Sequence, residues 1–97
     1  MNKELSQLSG LEQLNLLVEG KIPPPSIAET TGQKSFEVKE GFCKVEFIPD
    51  NRHLNPMGGV HGGLIATVLD SVTGTCVHSV LKAGESYGTV DLNVKML

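Results

Sequence analysis

The longest stretch of low charge in this chain covers residues 53–81 and reads HLNPMGGVHGGLIATVLDSVTGTCVHSVL. Asp70 is the one formally charged residue within it. Apolar residues recur there every three or four positions, which is the period of an α-helix. We therefore predict a helix over residues 61–82 that is apolar on most sides, largely buried, and ended by Gly84. The residues that set this period are Leu64, Ile65, Val68, Leu69, Val72, Cys76, Val80 and Leu81.

The sequence on both sides of this predicted helix indicates β-structure. Upstream, residues 36–47 alternate between apolar and charged side chains around a turn at Glu40-Gly41, which is typical of a hairpin. Downstream, residues 89–96 alternate in the same way, with Thr89 on the polar side. A hairpin, a long helix and a third strand predict an α+β protein.

The N-terminal quarter predicts a short helix followed by an extended connection. Residues 9–12 match a capping box ahead of apolar residues at helical spacing, and Gly20 follows where the helix would end. Three consecutive prolines, residues 23–25, cannot continue a helix and are expected to run extended. Residues 1–25 are therefore a lead-in to one domain over residues 1–97, a length that fits a single small domain.

The composition argues against several classes of function. The chain has 8 basic and 11 acidic residues in 97, so it lacks the basic surface that neutralises nucleic-acid phosphates. Aromatic residues make up 4% and include no tryptophan, which removes the stacking platforms of single-strand binders. Cys43 and Cys76 are too few and too widely spaced for a disulfide framework or a zinc ribbon, so we expect free thiols. The cysteines and histidines show no metal-ligand spacing, so we expect no metal, and we expect no cofactor.

The charge pattern also favours a cytoplasmic protein. No apolar run typical of a secretory leader follows Met1. Residues 60–81 have the length of a membrane span but contain Asp70, two histidines and three glycines. An aspartate alone costs roughly 2.5–3.5 kcal/mol at the centre of a bilayer. We expect neither a membrane nor a nucleic acid as a partner.

Four glycines surround His61 at residues 58–63, the densest feature of the chain. They allow close approach of the backbone to a ligand and leave the first N–H groups of the predicted helix unmasked. The positive end of a helix dipole suits a phosphate, a carboxylate or a developing oxyanion. The alternative is that the glycines only permit a tight loop. The pattern matches neither a P-loop nor the dinucleotide-binding fingerprint.

Asp70 is the second candidate site residue. On a helix it stacks with small residues three and four positions away, so a ligand or another backbone must fill the space beside it. A buried, unpaired carboxylate is costly, and the alternative is that this side of the helix is solvated. The small residues are Ala66, Thr67, Thr73 and Gly74.

The distance between these two features predicts a dimer. His61 and Asp70 lie nine residues apart, which is about 13.5 Å at 1.5 Å per helical residue. One chain therefore cannot bring both to the same reacting carbonyl group. Two copies of the helix, antiparallel about a two-fold axis, would bring His61 of one chain near Asp70 of the other.

The motif Asn55-Pro-Met-Gly-Gly-Val-His-Gly-Gly63, with Asp70 seven residues later, resembles the signature of the PaaI-like (phenylacetate-degradation) branch of hotdog-fold acyl-CoA thioesterases. The likeness extends through residues 23–30 and 88–93. It implies a hotdog fold, in which an antiparallel sheet wraps a long central helix, and dimers that often pair into tetramers. It also implies that only about three of the family's five strands are present, so we expect a fragment or compensation by association.

The resemblance implies a role for each candidate residue. Asp70 matches the family's essential carboxylate, which attacks the thioester or activates water. Gly62 matches the residue whose backbone N–H polarises the thioester carbonyl, and the family takes these two residues from different subunits. His61 and Asn55 match positions that orient the carbonyl or the carboxylate, and Thr89 falls where a hydroxyl positions water. The expected substrate-binding residues are Gly63, Val60 and Gly88.

We therefore expect an enzyme, an acyl-CoA thioesterase acting on a small aryl- or medium-chain acyl-CoA as a cytoplasmic homodimer or homotetramer. The alternative is a non-catalytic or incomplete hotdog module that binds acyl-CoA or only dimerises. A hotdog dehydratase is less favoured, because those enzymes pair a histidine with a helix carboxylate in a different loop pattern.

Overall fold

The computed structural model describes residues 4–89 and 91–95. Two antiparallel strands form its sheet, and the longest helix packs on the second strand. The chain is a mixed α+β protein. In chain order the elements are α1 (Gly10–Val18), α2 (Ser26–Thr30), β1 (Gln33–Lys39), β2 (Phe42–Phe47) and α3 (Gly62–His78), with short 3-10 helices at Leu5–Gln7 and Asn51–His53.

The predicted hairpin is confirmed. Val38 pairs with Cys43 across the strands, and Gly41 in the turn has φ +74°, which a glycine adopts without strain. Half-buried and exposed residues alternate along β2, as expected for a sheet with one covered face. The Gly41 N–H donates to Ser79 Oγ at 2.8 Å, which attaches the turn to the C-terminal end of α3.

The predicted N-terminal helix is confirmed as well. Ser9 Oγ accepts the Glu12 N–H at 3.2 Å, and Glu12 Oε1 accepts the Ser9 N–H at 2.8 Å, so both halves of the capping box are formed. Gly10 packs so closely on α3 that a Cβ there would overlap the carbonyl oxygen of His78. The Gly10 N–H donates to the carbonyl of Leu81 at 2.9 Å, which ties the start of α1 to the end of α3.

The connection from α1 to β1 is more helical than predicted. Gly20 has φ +75° just after α1, and Pro25 is extended with ψ 148°, as the sequence indicated. Helix α2 then begins directly after Pro25, although five residues are too few to show an apolar period. Thr31 is buried at its end and donates its hydroxyl to the carbonyl of Ile27 at 2.9 Å.

Helix α3 is shorter and more exposed than predicted. It ends at His78 rather than Lys82, because the N–H groups of residues 80 and 81 donate three positions back and tighten the last turn. Leu69 is 40% and Val77 46% exposed, so the expectation of a largely buried helix is wrong: a two-stranded sheet covers one side of it. Within the described residues, no helix is both long and apolar enough to cross a membrane.

The strand predicted over residues 89–96 is not formed where the structure describes it. Residues 85–89 and 91–95 are irregular, and Val90 and Met96 lie outside the described residues. A strand requires hydrogen bonds to a neighbouring strand, and in the described part of the chain the sheet contains β1 and β2 alone. The described part of the chain thus has two strands instead of the expected three, and residues 87–89 contact α3 instead.

Charged side chains hold the connection between β2 and α3. Arg52 Nη2 lies 2.9 Å from Asp50 Oδ2, and the Arg52 backbone N–H donates to Asp50 Oδ1 at 2.9 Å. Arg52 Nη1 lies 3.1 Å from Glu29 Oε1 and so reaches α2. The side-chain and then the backbone hydrogen bonds of Arg52 lower the pKa of Asp50 to about 2.

We expect an NMR titration to report a pKa of about 2 for Asp50 in the folded chain, below its ordinary value of 3.8. Because the folded pKa lies below the unfolded one, the interaction stabilises the fold above pH 4 or so, and its contribution is lost as the pH falls toward 2. Arg52→Ala should raise this pKa only part of the way, since the backbone N–H remains. An Asp50 pKa that does not move in the variant would contradict the assignment.

Candidate functional site

Asp70 lies in the middle of α3, and its carboxylate is bound by a hydroxyl from the C-terminal segment. Thr89 Oγ1 donates to Asp70 Oδ1 at 2.7 Å. Asp70 is half-buried, and among the described residues its second oxygen, Oδ2, makes no hydrogen bond. The alternation had put Thr89 on a polar strand face away from the helix. Because the segment is not a strand, its hydroxyl contacts Asp70 instead.

This same segment fills part of the space beside Asp70. Tyr87 lies on Gly74, where a Cβ would be 2.5 Å from Tyr87 Oη and 3.0 Å from its ring. The ring also meets that of His78 edge-on, with 6.0 Å between the centroids. Tyr87 thus occupies the part of this space that lies over Gly74. Sequence reasoning missed Tyr87, and its only signal was that it is the sole tyrosine.

The start of α3 leaves one backbone donor without a partner. His61 caps the helix: its Nδ1 accepts the Gly63 N–H at 2.9 Å, and its carbonyl accepts the Leu64 N–H at 3.0 Å. Among the described residues, no acceptor binds the Gly62 N–H. This free donor at the positive end of the helix dipole can stabilise a negative oxygen. The Gly63 N–H is already occupied.

The cap also determines which nitrogen of His61 is available. Because Nδ1 accepts a hydrogen bond, the neutral ring carries its proton on Nε2. His61 is exposed, so Nε2–H is open to a ligand. The His61 backbone N–H donates to the carbonyl of His53 at 2.7 Å, which fixes the loop that leads into α3.

Asn55 shapes the loop before His61. Its Oδ1 accepts the N–H groups of Met57 at 2.9 Å and Gly59 at 3.1 Å, so the side chain closes a turn. The side-chain amide nitrogen makes no hydrogen bond within the described part of the chain. The structure brings Asn55 into hydrogen-bond contact with neither Asp70 nor His61 of the same chain.

His53 is a structural residue that the sequence did not single out. It is buried, its Nδ1 accepts the Asp50 N–H at 2.9 Å, and its Nε2–H donates to the carbonyl of Thr30 at 2.7 Å. These two bonds define a neutral ring with the proton on Nε2. His53 therefore holds α2, the loop and the start of α3 in one arrangement. This structural role could be recognised only from the structure, in which these three segments are in contact.

Within one chain, the residues at the start of α3 lie apart from Asp70 and Thr89. Gly62 and Asp70 are eight residues apart on α3, a separation of about 12 Å. Val60 is 38% exposed in the loop before the helix, and Gly88 is exposed between Tyr87 and Thr89. The predicted site residues thus form two groups, one at the start of α3 and one at Asp70 and Thr89.

The two cysteines of the chain are not in a disulfide bond. Cys43 and Cys76 are free and half-buried. Burial and, to a lesser extent, the nearby Cys76 raise the pKa of the Cys43 thiol, which keeps it protonated and weakly nucleophilic. Within residues 4–89 and 91–95, no group of three or more histidine, cysteine, aspartate or glutamate side chains could hold a metal ion.

A cavity of about 640 Å³ lies beside Tyr87. Its walls come from α1, α2, the hairpin and one side of α3. On α3 the lining residues are Val68, Ser71 and Thr75, three and four positions apart and therefore on one side of the helix. Asp70 does not line the cavity. Tyr87 lines it and also covers Gly74.

No protein-family model matches this chain, and no curated protein or solved structure is similar to it at a meaningful level. The class of protein that the fold defines is a mixed α+β chain with a carboxylate–hydroxyl pair on its longest helix. Its function is therefore argued from the geometry of that site.

Proposed function

We propose that this chain is an acyl-CoA thioesterase of the PaaI-like hotdog type, acting on a small aryl- or medium-chain acyl-CoA in the cytoplasm. The observation that carries the proposal is the 2.7 Å hydrogen bond from Thr89 Oγ1 to Asp70 Oδ1. It orients a half-buried carboxylate on a helix of otherwise uncharged residues. A carboxylate oriented in this way can act as a nucleophile or as a general base.

Both chemical routes are compatible with this carboxylate. As a nucleophile, Asp70 Oδ2 forms a bond to the thioester carbonyl carbon, the coenzyme A thiolate leaves, and water hydrolyses the resulting mixed anhydride. As a base, Asp70 takes a proton from water, whose oxygen adds to the same carbon. The C–S bond then breaks, and the coenzyme A thiolate leaves and takes up the proton. In each route the carbonyl oxygen becomes negative and needs a hydrogen-bond donor. The free Gly62 N–H is a suitable donor.

The active unit in this proposal is a dimer. Gly62 and Asp70 of one chain are about 12 Å apart along α3, too far to contact a single carbonyl group. A second copy, with its α3 antiparallel to the first, would bring Gly62 of one chain near Asp70 of the other. Leu69 and Val77 of α3 have exposed side chains, which offer apolar surface for a contact with a second copy. Two such dimers would form the homotetramer that the resemblance implies.

The remaining candidate residues have supporting roles in the proposal. His61 Nε2–H and the side-chain amide of Asn55 are donors that would orient the substrate carbonyl. Both are positioned by hydrogen bonds of their own, His61 to Gly63 and Asn55 to the loop. No cofactor takes part. The backbone at Val60, Gly63 and Gly88 would line the substrate path.

The direct test is hydrolysis of aryl-, short- and medium-chain acyl-CoAs by the 97-residue chain, with Asp70→Asn measured beside it. Hydrolysis that requires Asp70 supports the proposal. Full turnover by the variant would reject it.

Thr89→Val should lower kcat about 10- to 100-fold, because a hydrogen bond to a charged group contributes roughly 1.5–3 kcal/mol and valine keeps the shape of threonine without the donor. KM should change little, since the hydroxyl acts on Asp70 rather than on the substrate. Thr89→Ser keeps the hydroxyl and should restore most of kcat. A Thr89→Val variant with wild-type kcat would contradict this role of the hydrogen bond.

A second candidate function is a module that binds acyl-CoA without hydrolysing it, or that only dimerises. The observation in its favour is the two-stranded sheet of the described residues, which leaves Leu69 and Val77 of α3 exposed for contact with another surface. Binding of acyl-CoA by a folded dimer without turnover would favour this function.

A further inference from the structure

One aromatic ring lies between Asp70 and the cavity. Gly74 follows Asp70 by four residues and Ser71 by three, so on the surface of α3 it is the neighbour of both. Ser71 lines the cavity, whereas Asp70 does not. The Tyr87 ring and hydroxyl lie directly on Gly74. Tyr87 therefore covers the path from the carboxylate to the cavity that runs over Gly74.

The ring is held in this place by contacts on both sides. It meets the His78 ring edge-on, and Gly74 has no side chain that would displace it. Two residues further on, the hydrogen bond from Thr89 to Asp70 fastens the same segment to α3. Tyr87 is nonetheless 46% exposed, so its removal opens a surface path without creating a closed hole in a core.

The cavity behind the ring fits an apolar chain. Its walls include Leu14, Leu17 and Ile27 together with Val68 of α3, and its volume is about 640 Å³. The free energy of transfer from water would favour the burial of each methylene group there. A chain attached to a carbonyl at Asp70 that runs toward the C-terminal half of α3 crosses Gly74, where the Tyr87 ring lies, before it reaches these walls.

We propose that Tyr87 sets the upper limit of acyl size at this site: short acyl and small aryl groups are accepted beside Asp70, and medium-chain groups are kept out of the cavity. This inference rests on the proposed thioesterase function and narrows its substrate class. Tyr87 is a specificity-determining residue here and takes no part in the chemical step.

The test compares acetyl-, benzoyl- and octanoyl-CoA as substrates of the wild-type chain, Tyr87→Ala and Tyr87→Phe. The octanoyl-to-acetyl ratio of kcat/KM should rise about 10- to 100-fold in Tyr87→Ala, the range that pocket contacts with methylene groups usually give. Tyr87→Phe keeps the ring and should keep the wild-type ratio. Because the ratio compares two substrates of one variant, a general loss of activity cancels. A ratio unchanged in Tyr87→Ala, or a wild-type chain that already prefers octanoyl-CoA, would overturn the inference.

A binding measurement separates this inference from the proposed function. S-octyl-CoA is a thioether that cannot be hydrolysed, so calorimetry reports its affinity whether or not the chain is an enzyme. Its Kd should be about 10-fold lower for Tyr87→Ala than for the wild type, since the cavity becomes reachable for several methylene groups. Equal Kd values would overturn the role of Tyr87. Absence of turnover with every acyl-CoA counts against the thioesterase proposal alone.

Discussion

Asp70→Asn should reduce thioester hydrolysis by this chain about 1,000-fold in kcat, within the range found when a general acid or base is removed. Asparagine has the size of aspartate, and its Oδ1 can still accept the 2.7 Å hydrogen bond from Thr89, so the local geometry is kept. The amide nitrogen that replaces Oδ2 neither takes a proton from water nor attacks a carbonyl carbon. The loss is therefore expected in kcat, with little change in the folded structure.

The matched control is Asp91→Asn, which makes the same change of charge at an exposed residue of the same segment. It should leave kcat within about twofold, since surface substitutions have small effects. Hydrolysis is best followed by the loss of the thioester chromophore, because Cys43 and Cys76 would react with a thiol reagent. Circular dichroism and size-exclusion chromatography check that both variants fold and associate alike. Equal losses in the two variants would mean that charge, not the Asp70 carboxylate, is responsible.

Gly32→Ala is expected to lower the free energy of unfolding by about 3 kcal/mol, the larger of the two stability effects predicted for single glycines. Gly32 connects α2 to β1 with φ +77°, a conformation that costs an L-residue about 1 kcal/mol or more. A Cβ there would also lie 2.6 Å from the carbonyl oxygen of Ile48 and 3.3 Å from the His53 ring. Overpacking of this kind typically costs about 1–3 kcal/mol.

Gly20→Ala separates the cost of the positive φ from the cost of overpacking. Gly20 has nearly the same φ, +75°, but apart from its two chain neighbours no described residue has an atom within 4 Å of the added Cβ. Its substitution should therefore cost only about 1 kcal/mol from the backbone conformation. Urea unfolding of the two variants beside the wild-type chain measures the difference. Equal losses would contradict the close packing of Gly32 against Ile48 and His53.

Local signals in the sequence predicted the elements well where the cause is local. The capping box around Ser9 predicted the start of α1, because both of its hydrogen bonds join residues three positions apart. The alternation of residues 36–47 predicted the hairpin, and Gly41 has the positive φ that its turn needs. The prediction of a strand over residues 89–96 was wrong for the described residues. Alternation indicates which side chains could face a sheet, but a strand also needs a neighbouring strand to pair with.

The candidate site also has features that the local sequence predicted and features that it did not. His61 and the glycines that follow it were predictable as a helix start. The structure adds that His61 accepts the Gly63 N–H, whereas no acceptor among the described residues binds the Gly62 N–H. The resemblance named Thr89 as a site residue, but periodicity could predict neither its hydrogen bond to Asp70 nor the position of Tyr87. These contacts join residues 19 and 13 positions apart in the sequence. His53 was missed for the same reason.

The sequence by itself determined an α+β chain with one long helix, an aspartate on that helix and a glycine-rich helix start, because caps, turns and hydrophobic periods act within a few residues. Only the tertiary structure decided what lies beside that aspartate. The C-terminal segment, which had the pattern of a strand, crosses α3 so that Thr89 binds Asp70 and Tyr87 covers Gly74. The position of this segment depends on packing between distant parts of the chain. The same alternating pattern is compatible with a β-strand or with an irregular segment packed on a helix, and the neighbouring residues decide which forms.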